Sequence, residues 1–494
     1  MSPFNSFIAG LPRLPPRESR HRSSNPFTLL ASLTAMQWAF FFSGWFAWVC
    51  DAVDFFAVSL STARLATQFA KPVGTVTLSI TLTLLFRPLG AFIFGILSDR
   101  YGRKWPLIGN LLLIAAFSLG TGFVQTFSAF LALRSMFGIT MGGIWGLAVS
   151  MSLENMPVEA RGLFSGFLQL GYPVGYLIIA AVNLNPYIQK QQHWRVLFYT
   201  GAGMSLFAAV IRLLLPESAY FKERQQCRAE LEADGAITKS ATMTTLRELG
   251  KTLRVHWARC VWSVIFMSAF NFYSHGSQDL YPTYVQIDKG LSPHLATVTT
   301  IIGNCGAIAG CTVGGFVSQF LGRRLTIIVM AVFCCAMLPL WLLPTSFAGL
   351  AAGAFFVQAG VQGAYGVVPV YLSEISPVAF RATWPGVAYQ LGNMVASASA
   401  QIEATAGAKI KDPTTGKPAY GKVAAILIAV SAVVLIACCL VGAEDHGAHF
   451  ENGRAAFEND AGLDIVEDPE RQLSKVVSNG DQKDQVKVYH KEHV

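Results

Sequence analysis

One short stretch of the chain, NFYSHGSQDLYPT at residues 271–283, carries polar and ionisable side chains inside an otherwise apolar run. Four of them follow each other at spacings of four, three and one residues: Asn271, His275, Gln278 and Asp279. A helix would carry all four on one side. An imidazole changes charge near neutral pH, and a desolvated carboxyl can do the same. Such groups are costly in hydrocarbon unless they face a polar cavity, so the stripe indicates a path for a proton or a solute. The alternative is a polar seam between packed helices.

Three further ionisable residues lie within apolar runs of the first half of the chain. Asp51 and Asp54, in GWFAWVCDAVDFF, are three residues apart and should share a helix face. Arg87, in TLLFRPLGA, lies near the middle of its run, and its guanidinium stays charged. It therefore needs an anion, either one of the two aspartates or a substrate carboxylate held in bidentate fashion. We expect both, exchanged during a cycle; the alternative is a permanent buried ion pair.

Amide side chains in a later run could complete a binding site. Gln390 and Asn393, in YQLGN, lie one helical turn apart and could donate hydrogen bonds to a carboxylate or a hydroxyl. Gln169 is a weaker candidate. Arg134 begins an Arg-x3-Gly-x3-Gly pattern, which favours close helix packing over a role in binding.

The composition places these residues in a membrane protein. Of the 494 residues, 53% are hydrophobic and 13% are charged, whereas a soluble chain carries about 25% charged residues. Twelve apolar runs reach the roughly 20 residues that span a bilayer. They cover 36–62, 77–97, 106–126, 129–152, 162–184 and 194–215, and then 258–285, 295–318, 325–343, 347–372, 382–402 and 422–442. The cysteines lie mostly in these runs and form no CxxC pair, so neither a disulfide framework nor a metal site is expected.

The runs divide the chain into five parts. We predict a disordered N-terminal tail at 1–27, a six-helix bundle at 28–215, a polar central loop at 216–257, a second six-helix bundle at 258–442 and a disordered C-terminal tail at 443–494. An even number of spans puts both tails on one side of the membrane. The net charge of +8 could indicate nucleic acid, but many basic residues lie in short segments between the apolar runs, which is how membrane proteins mark their cytoplasmic side. Both tails and the central loop are therefore predicted to be cytoplasmic.

An internal repeat relates the two bundles. GILSDRYGRK at 95–104 is echoed by GFVSQFLGRR at 315–324, an offset of 220 residues, and the same offset relates ENMPVEAR at 154–161 to EISPVAFR at 374–381. Parallel repeats of six helices are the architecture of major facilitator transporters. The first loop resembles the loop signature of that superfamily, and the second copy has Gln319 in place of its acid.

The charged loop predicts a gate. Its glycines would allow a tight turn between helices, and its charges would hold the two bundles in one orientation and release them in the other. A plain topology anchor is the alternative for the arginines. The predicted gating residues are Gly95, Asp99, Arg100, Gly102, Arg103, Glu154 and Arg161.

The stretch at 271–283 resembles the signature of the seventh span of the fungal lactate/pyruvate permeases, which are proton symporters in the sialate-permease branch of the major facilitator superfamily. WVCDAVDFF and YQLGN are similar to that branch too, and the resemblance runs from about residue 38 to residue 444. It implies an all-α membrane protein with twelve transmembrane helices in two pseudo-symmetric six-helix bundles. It also implies uptake of short monocarboxylates with a proton at the plasma membrane.

The residues and the resemblance together give two predicted sets. The predicted substrate-binding residues are Arg87, Asn271, His275, Gln278, Gln390 and Asn393. The predicted proton-coupling residues are His275, Asp279, Asp51 and Asp54. No cofactor or metal is expected, and the proton is the coupling ion. The expected partners are a small carboxylate and lipid, without nucleic acid, while tail lysines could accept ubiquitin.

Three other functions stay open at this stage. A sister subgroup that takes dicarboxylates such as succinate and malate shares much of the signature. A sugar or drug facilitator would carry the same loop motif, and a carboxylate sensor would bind without transport. An enzyme is not expected, since the chain has neither a Walker A loop nor catalytic triad spacing. The HGAH motif at 446–449 lies in the polar tail, where a metal site is not expected.

Overall fold

The protein is almost entirely helical in the part of the chain that the computed structural model describes. That part comprises residues 25–71, 73–76, 78–154, 156–185, 187–188, 191–217, 241–411 and 419–444, together with 12, 14, 221 and 416. The predicted disorder of the two tails, the tail lysines and the HGAH motif fall outside the described residues, apart from a few positions next to the bundles.

Twelve spans form two groups of six. The first group is span 1 (Ala35–Gln68), span 2 (Leu78–Tyr101), span 3 (Lys104–Phe123), span 4 (Phe127–Glu154), span 5 (Arg161–Gln169 and Gly171–Asn183) and span 6 (Arg195–Leu214). The second is span 7 (Trp257–Gln278), span 8 (Pro293–Leu321), span 9 (Arg323–Leu342), span 10 (Phe347–Tyr365 and Val368–Ile375), span 11 (Thr383–Ala396 and Ser399–Lys409) and span 12 (Tyr420–Val441). Short helices connect them at Pro26–Ser32, Val73–Val76, Gln191–Trp194, Ala241–Val255, Tyr281–Ile287 and Val378–Phe380.

Composition alone separates two spans from the rest. Ten of the described helices are long and apolar enough to cross a membrane, and spans 7 and 11 are not among them. Span 7 carries the polar stripe, and span 11 is interrupted by a turn at 397–398. Polar groups of this kind are tolerated at membrane depth where they face protein or a cavity. The two polar spans pack against each other. With them, the structure has twelve spans in two groups of six, which confirms the prediction of two six-helix bundles.

The two halves meet mainly through two pairs of spans. Span 2 packs against span 11, and span 5 packs against span 8. The second pair is the repeat of the first, because spans 8 and 11 are the second copies of spans 2 and 5. The loops 95–104 and 315–324 lie at one end of these contacts, which we call the loop-motif end.

Matching ion pairs at the loop-motif end demonstrate the duplication. In the first half, Arg103 Nη2 lies 2.8 Å from Glu154 Oε1. In the second half, Arg323 Nη2 lies 2.9 Å from Glu374 Oε1. Each pair joins residues at the same positions of the repeat, 220 residues apart. The predicted repeat is therefore present in side-chain contacts as well as in helix order.

Two acids that the sequence analysis did not single out hold the start of a helix in each half. Glu217, after span 6, accepts hydrogen bonds from the backbone N–H groups of Arg103 and Lys104 at 3.2 and 2.9 Å. Glu444, after span 12, accepts one from the N–H of Arg323 at 2.6 Å. Carboxylates satisfy the unpaired N–H groups of a helix start and complement its dipole. Burial raises the pKa of Glu444.

The central segment contains a helix where the sequence predicted a loop. Ala241–Val255 is amphipathic, and its Leu249 packs with Ala379 and Phe380 of the second half and with Ile96 of the first. The charged residues that surround Leu249 mask this apolar contact in a composition-based prediction. The helix therefore lies against both halves at the loop-motif end.

Substitution of Glu374 by Gln should destabilise the protein. Arg323 would keep its charge in a site where its side chain is 0% exposed, and breaking a buried pair costs about 3–5 kcal/mol. Thermal unfolding of the purified protein in detergent measures the effect. Glu159→Gln, a half-buried acid at the same end, is the control. Equal melting temperatures for the two variants would show that the Arg323–Glu374 pair does not stabilise the bundle.

Candidate functional site

Arg87 and Asp51 form the charged centre of the protein. Arg87 is 2% exposed; its Nη2 donates to Met141 Sδ at 2.7 Å, and its Cζ lies 5.1 Å from the centre of the Phe55 ring. Asp51 is fully buried and interacts electrostatically with Arg87. Within the described part of the chain, Arg87 Nε and both carboxylate oxygens of Asp51 have no hydrogen-bond partner. The centre therefore keeps donor and acceptor capacity that the protein itself does not use.

Asp54 does not share the surroundings of Asp51. Its Oδ1 accepts a hydrogen bond from Ser118 Oγ in span 3, and its charge acts on Arg134 in span 4. The two carboxylates act on each other electrostatically, but Asp54 contacts Ser118 whereas Asp51 interacts with Arg87. In a helix, residues three apart are rotated by about 60°, and this rotation directs Asp54 into the first bundle.

Arg134 has an electrostatic role that the packing pattern did not reveal. The residue is 1% exposed, and its Cζ lies 3.9 Å from the centre of the Phe137 ring and 5.3 Å from that of Phe198. Its charge and that of Asp54 attract. The prediction of helix packing holds only for the glycines that follow, since Gly138 and Gly142 let span 4 lie against the backbone of span 2.

A line of polar groups runs from span 7 through span 11 to the first half. His275 Nδ1 lies 3.0 Å from Asp279 Oδ2, and His275 Nε2 lies 3.2 Å from Asn393 Oδ1. Asn393 Nδ2 donates to Gln390 Oε1 at 2.9 Å, and Gln390 Nε2 donates to the Gly142 carbonyl of span 4 at 3.4 Å. The structure thus joins four of the predicted residues in one hydrogen-bonded line between the halves.

This line faces the charged centre. The charge of Arg87 acts on His275 and on the hydroxyl of Tyr389, a residue of span 11. The indole of Trp145 in span 4 stacks on Tyr389 with ring centres 4.3 Å apart and an interplanar angle of 12°. Groups from both halves therefore surround one central region.

Asn271 and Gln278 have different surroundings. Asn271 Oδ1 accepts a hydrogen bond from the Tyr365 hydroxyl at 2.6 Å, and its Nδ2 donates to the Tyr389 carbonyl at 3.3 Å. These bonds anchor span 7 to spans 10 and 11. Gln278 Nε2 donates to Ser274 Oγ at 3.2 Å and lines a cleft.

The cleft lies between the halves at the end opposite the loop motifs. It is small, with a cavity volume of about 30 Å³, and its wall combines aromatic rings with carboxamides. Residues from both halves line it, among them Phe56, Tyr176, Gln278, Tyr281, Asn304 and Gln358. Gln278, in its wall, belongs to the same turn of span 7 as His275 and Asp279.

The loop-motif end is closed by contacts between the halves. Asp99 accepts hydrogen bonds from the backbone N–H and hydroxyl of Thr383 at 3.1 and 2.6 Å, at the start of span 11. Asp99 also pairs with Arg103 at 3.4 Å. Burial alone would lower the pKa of the Arg103 guanidinium, but Glu154 and Asp99 outweigh it and raise the pKa, so Arg103 stays charged. On the other contact pair, Gln319 Nε2 donates to the Val158 carbonyl at 3.0 Å.

The other predicted gating residues differ from one another in what they contact. Gly102 has φ +92°, as a tight turn requires. Gly95 lies inside span 2 rather than in the turn, and a Cβ there would stand 2.8 Å from Thr383 Cα, so this glycine serves the contact between the halves. Arg100 stacks on the Tyr101 ring with Cζ 4.9 Å from its centre, and Arg161 Nε donates to the Met156 carbonyl at 3.1 Å.

Two features of the site were missed at the sequence level. Trp145 and Tyr389 meet across the halves, which no local pattern reveals. Glu403, in the second segment of span 11, is 1% exposed and interacts electrostatically with Asp279. In the sequence it is an acid at the edge of the apolar run 382–402, and an acid at that position is typical of an ordinary loop residue. The described residues contain no group of three or more His, Cys, Asp or Glu side chains that could hold a metal ion.

Two repeated six-helix bundles around buried charges from both halves define a secondary transporter of the major facilitator fold. The family model for the Major Facilitator Superfamily matches residues 38–400. The chain is 32% identical over 439 residues to the carboxylic acid transporter protein homolog of Saccharomyces cerevisiae, covering 85% of this chain and 70% of that protein. The chain therefore belongs to the Major Facilitator Superfamily and, within it, to the family of this yeast protein.

Two further comparisons agree with this assignment. The sialic acid transporter NanX of Escherichia coli is 26% identical over 361 residues, which cover 71% of this chain and 82% of NanX. A solved structure of the proton:xylose symporter XylE has a TM-score of 0.66 at 18% identity and covers 84% of this chain and 98% of its own. The latter shows the fold alone. The resemblance found in the sequence is thus confirmed at the level of the family.

Removal of the Tyr365 hydroxyl should lower stability. Tyr365→Phe leaves the buried Asn271 oxygen without this donor, which costs about 1–3 kcal/mol. Thermal unfolding in detergent checks this. The control is Tyr176→Phe, the same change in a residue that lines the cleft. A Tyr365→Phe variant as stable as the control variant would contradict the anchoring role of Asn271.

Proposed function

We propose that this protein is a proton-coupled symporter that takes short-chain monocarboxylates, such as lactate and pyruvate, across the plasma membrane, with both termini in the cytoplasm. The observation that carries the proposal is the central Arg87, a buried cation with an unused donor that faces Asp51 and His275. The names of two relatives, a carboxylic acid transporter homologue and a sialic acid transporter, point to organic acids as well.

Arg87 is the group that would bind the carboxylate. Its Nε lacks a hydrogen-bond partner among the described residues, and its Nη2 donates to Met141 Sδ, which is a weak acceptor. A carboxylate binds a guanidinium through two parallel N–H···O bonds and would replace this weak contact. Asp51 would compensate the cation when the site is empty.

The permanent charge of the predicted binding residues favours substrates with one carboxylate, because Arg87 is the one among them that is always cationic. The other predicted binding groups near it, Asn393 and Gln390, are neutral amides that suit a hydroxyl or a carbonyl. Another buried arginine of the first half, Arg134, interacts with Asp54. With His275 neutral, a dicarboxylate would bring a second negative charge into a site with one cation, and that costs free energy in a low-dielectric interior.

His275 and Asp279 are the groups that would carry the proton. They are 3.0 Å apart, and Asn393 holds the other nitrogen of the imidazole. A protonated His275 beside Arg87 would favour an anion between them, and loss of the proton would favour its release. One proton moved with one monoanion transfers no net charge, so the pH gradient would drive uptake and the membrane potential would contribute little.

The protein is closed at the loop-motif end and has its cleft at the other end. In the proposed cycle, this is the state that takes up the substrate from outside the cell. Asp99 and Thr383 hold the halves together on the predicted cytoplasmic side. Release of this contact, with closure of the cleft, would expose the centre to the cytoplasm. Rocking of two repeats around a fixed site is the general mechanism of such folds.

Uptake of labelled lactate into proteoliposomes should increase when the exterior is acidic, because the coupling proton is then abundant outside. A protonophore should abolish the stimulation, and unlabelled pyruvate should compete better than succinate. Transport that is insensitive to an imposed pH gradient would contradict proton coupling. Stronger competition by succinate than by pyruvate would favour a dicarboxylate symporter.

Arg87→Ala should reduce lactate uptake by about 10- to 100-fold, since a buried hydrogen bond to a charged group contributes about 1.5–3 kcal/mol. Uptake is normalised to the amount of protein at the membrane. Arg195→Ala, which removes a half-buried arginine far from Asp51, is the control. The double variant Arg87→Ala/Asp51→Asn avoids an uncompensated buried carboxylate. Normal uptake by that double variant would show that the guanidinium is only structural.

A further inference from the structure

A buried carboxylate that the mechanism above does not use lies beside the proton-coupling pair. Glu403, in the second segment of span 11, is 1% exposed. Its Oε1 accepts a hydrogen bond from Ser399 Oγ, one turn earlier in the same helix, at 3.2 Å. Within the described part of the chain, no ion pair joins it to a basic side chain. A carboxylate is rarely buried without a charged partner unless it has a specific role.

Glu403 is close to the turn of span 7 that carries the coupling pair. Its Oε1 lies 3.4 Å from the point where a β-carbon on Gly276 would stand, and Gly276 follows His275 directly. The charge of Asp279 acts on Glu403. A second carboxylate beside the coupling pair could hold a proton that the pair exchanges. The position of Glu403 is therefore suited to share a proton with Asp279.

Among the charged groups around Glu403 in the described part of the chain, Asp279 is the one that acts on its carboxylate. Spans 7 and 12 pack against the helix segment of Glu403. Span 7 contributes His275, with Asp279 at its end, while span 12 contributes Tyr420 and the exposed Lys422 at its start. Lys409, on the same segment as Glu403, is exposed as well.

The order of these groups along the bundle gives the path a direction. Span 11 starts beside Asp99 at the loop-motif end, and Glu403 lies 20 residues further on, roughly 30 Å along a helix. Asn393, which contacts His275, lies between the two. On span 7, Gly276, which Glu403 approaches, precedes Asp279 by three residues, so Asp279 lies nearer the cleft end.

We propose that Glu403 is part of a proton relay with Asp279 and His275. A proton from water at the cleft end binds the partly exposed Asp279 carboxylate, is held between Asp279 and Glu403, and passes to the His275 imidazole. Each carboxylate returns to its charged form after transfer, and no electrons move. This inference rests on the proposed proton symport.

Glu403→Gln tests the relay in the full-length protein reconstituted in liposomes. Two rates of labelled lactate are compared: uptake driven by an acidic exterior over a series of pH values, and exchange with lactate inside at equal pH. We expect gradient-driven uptake to fall about tenfold or more and to lose its dependence on external pH, while exchange changes less than about twofold. Glutamine keeps the shape of the side chain and an acceptor for Ser399 but cannot carry a proton.

Asp288→Asn is the matched control. Asp288 is also a carboxylate near the start of span 12, but its Oδ2 accepts a hydrogen bond from the Gly421 N–H at 2.9 Å, which asparagine can still accept. Its pH profile should match that of the unsubstituted protein. If the Gln variant does not reach the membrane, the same two rates are measured for Glu403→Asp. Its carboxyl has a shorter reach, so gradient-driven uptake should fall while exchange is unchanged.

Two results would overturn the relay in different ways. If the unsubstituted protein responds to the pH gradient and the Glu403 variant responds identically, Glu403 is not part of the path and proton symport stands. If the unsubstituted protein does not respond to the gradient, proton symport itself fails and the relay fails with it.

Discussion

The structure depends on the cost of placing charge in hydrocarbon. An arginine at the middle of a membrane span stays charged, so the protein must surround it with groups that compensate the charge. Around Arg87 that compensation is incomplete: Asp51 interacts with it electrostatically, yet its oxygens have no hydrogen-bond partner in the described part of the chain. Asp54, by contrast, is held by Ser118 and interacts with Arg134. Arg87 and Asp51 are therefore a charge pair that could admit a ligand, whereas Arg134 and Asp54 belong to the interior of the first bundle.

The two halves contribute different chemistry to the centre. The first half supplies a cation that stays charged, and the second supplies the imidazole of His275, a side chain whose charge changes near neutral pH, paired with Asp279. The line from His275 through Asn393 and Gln390 to Gly142 crosses between them. A shift of one half against the other would therefore change the hydrogen bonds of the titratable group. This is the physical link through which proton binding and bundle movement could be coupled.

Much of the fold could be predicted from the sequence, because apolar length and a fixed repeat offset are local signals. The placement of Asp99 near Arg103 followed from the same motif. Three features could not be predicted, since each depends on a neighbour distant in sequence. Asp54 turns toward Ser118, Gly95 contacts Thr383 rather than forming the turn, and Glu403 meets the turn of Gly276. The helix Ala241–Val255 was missed because charged residues obscure its apolar contact.

The central claim is that a carboxylate binds between the fixed cation of one half and the titratable pair of the other. A cryo-electron microscopy structure of the protein in lipid nanodiscs with saturating lactate tests it most directly. The account predicts density for the carboxylate at hydrogen-bonding distance from the Arg87 guanidinium, on the side that faces His275 and Asn393. Lactate bound away from Arg87, with Arg87 Nη2 still donating to Met141 Sδ, would contradict it.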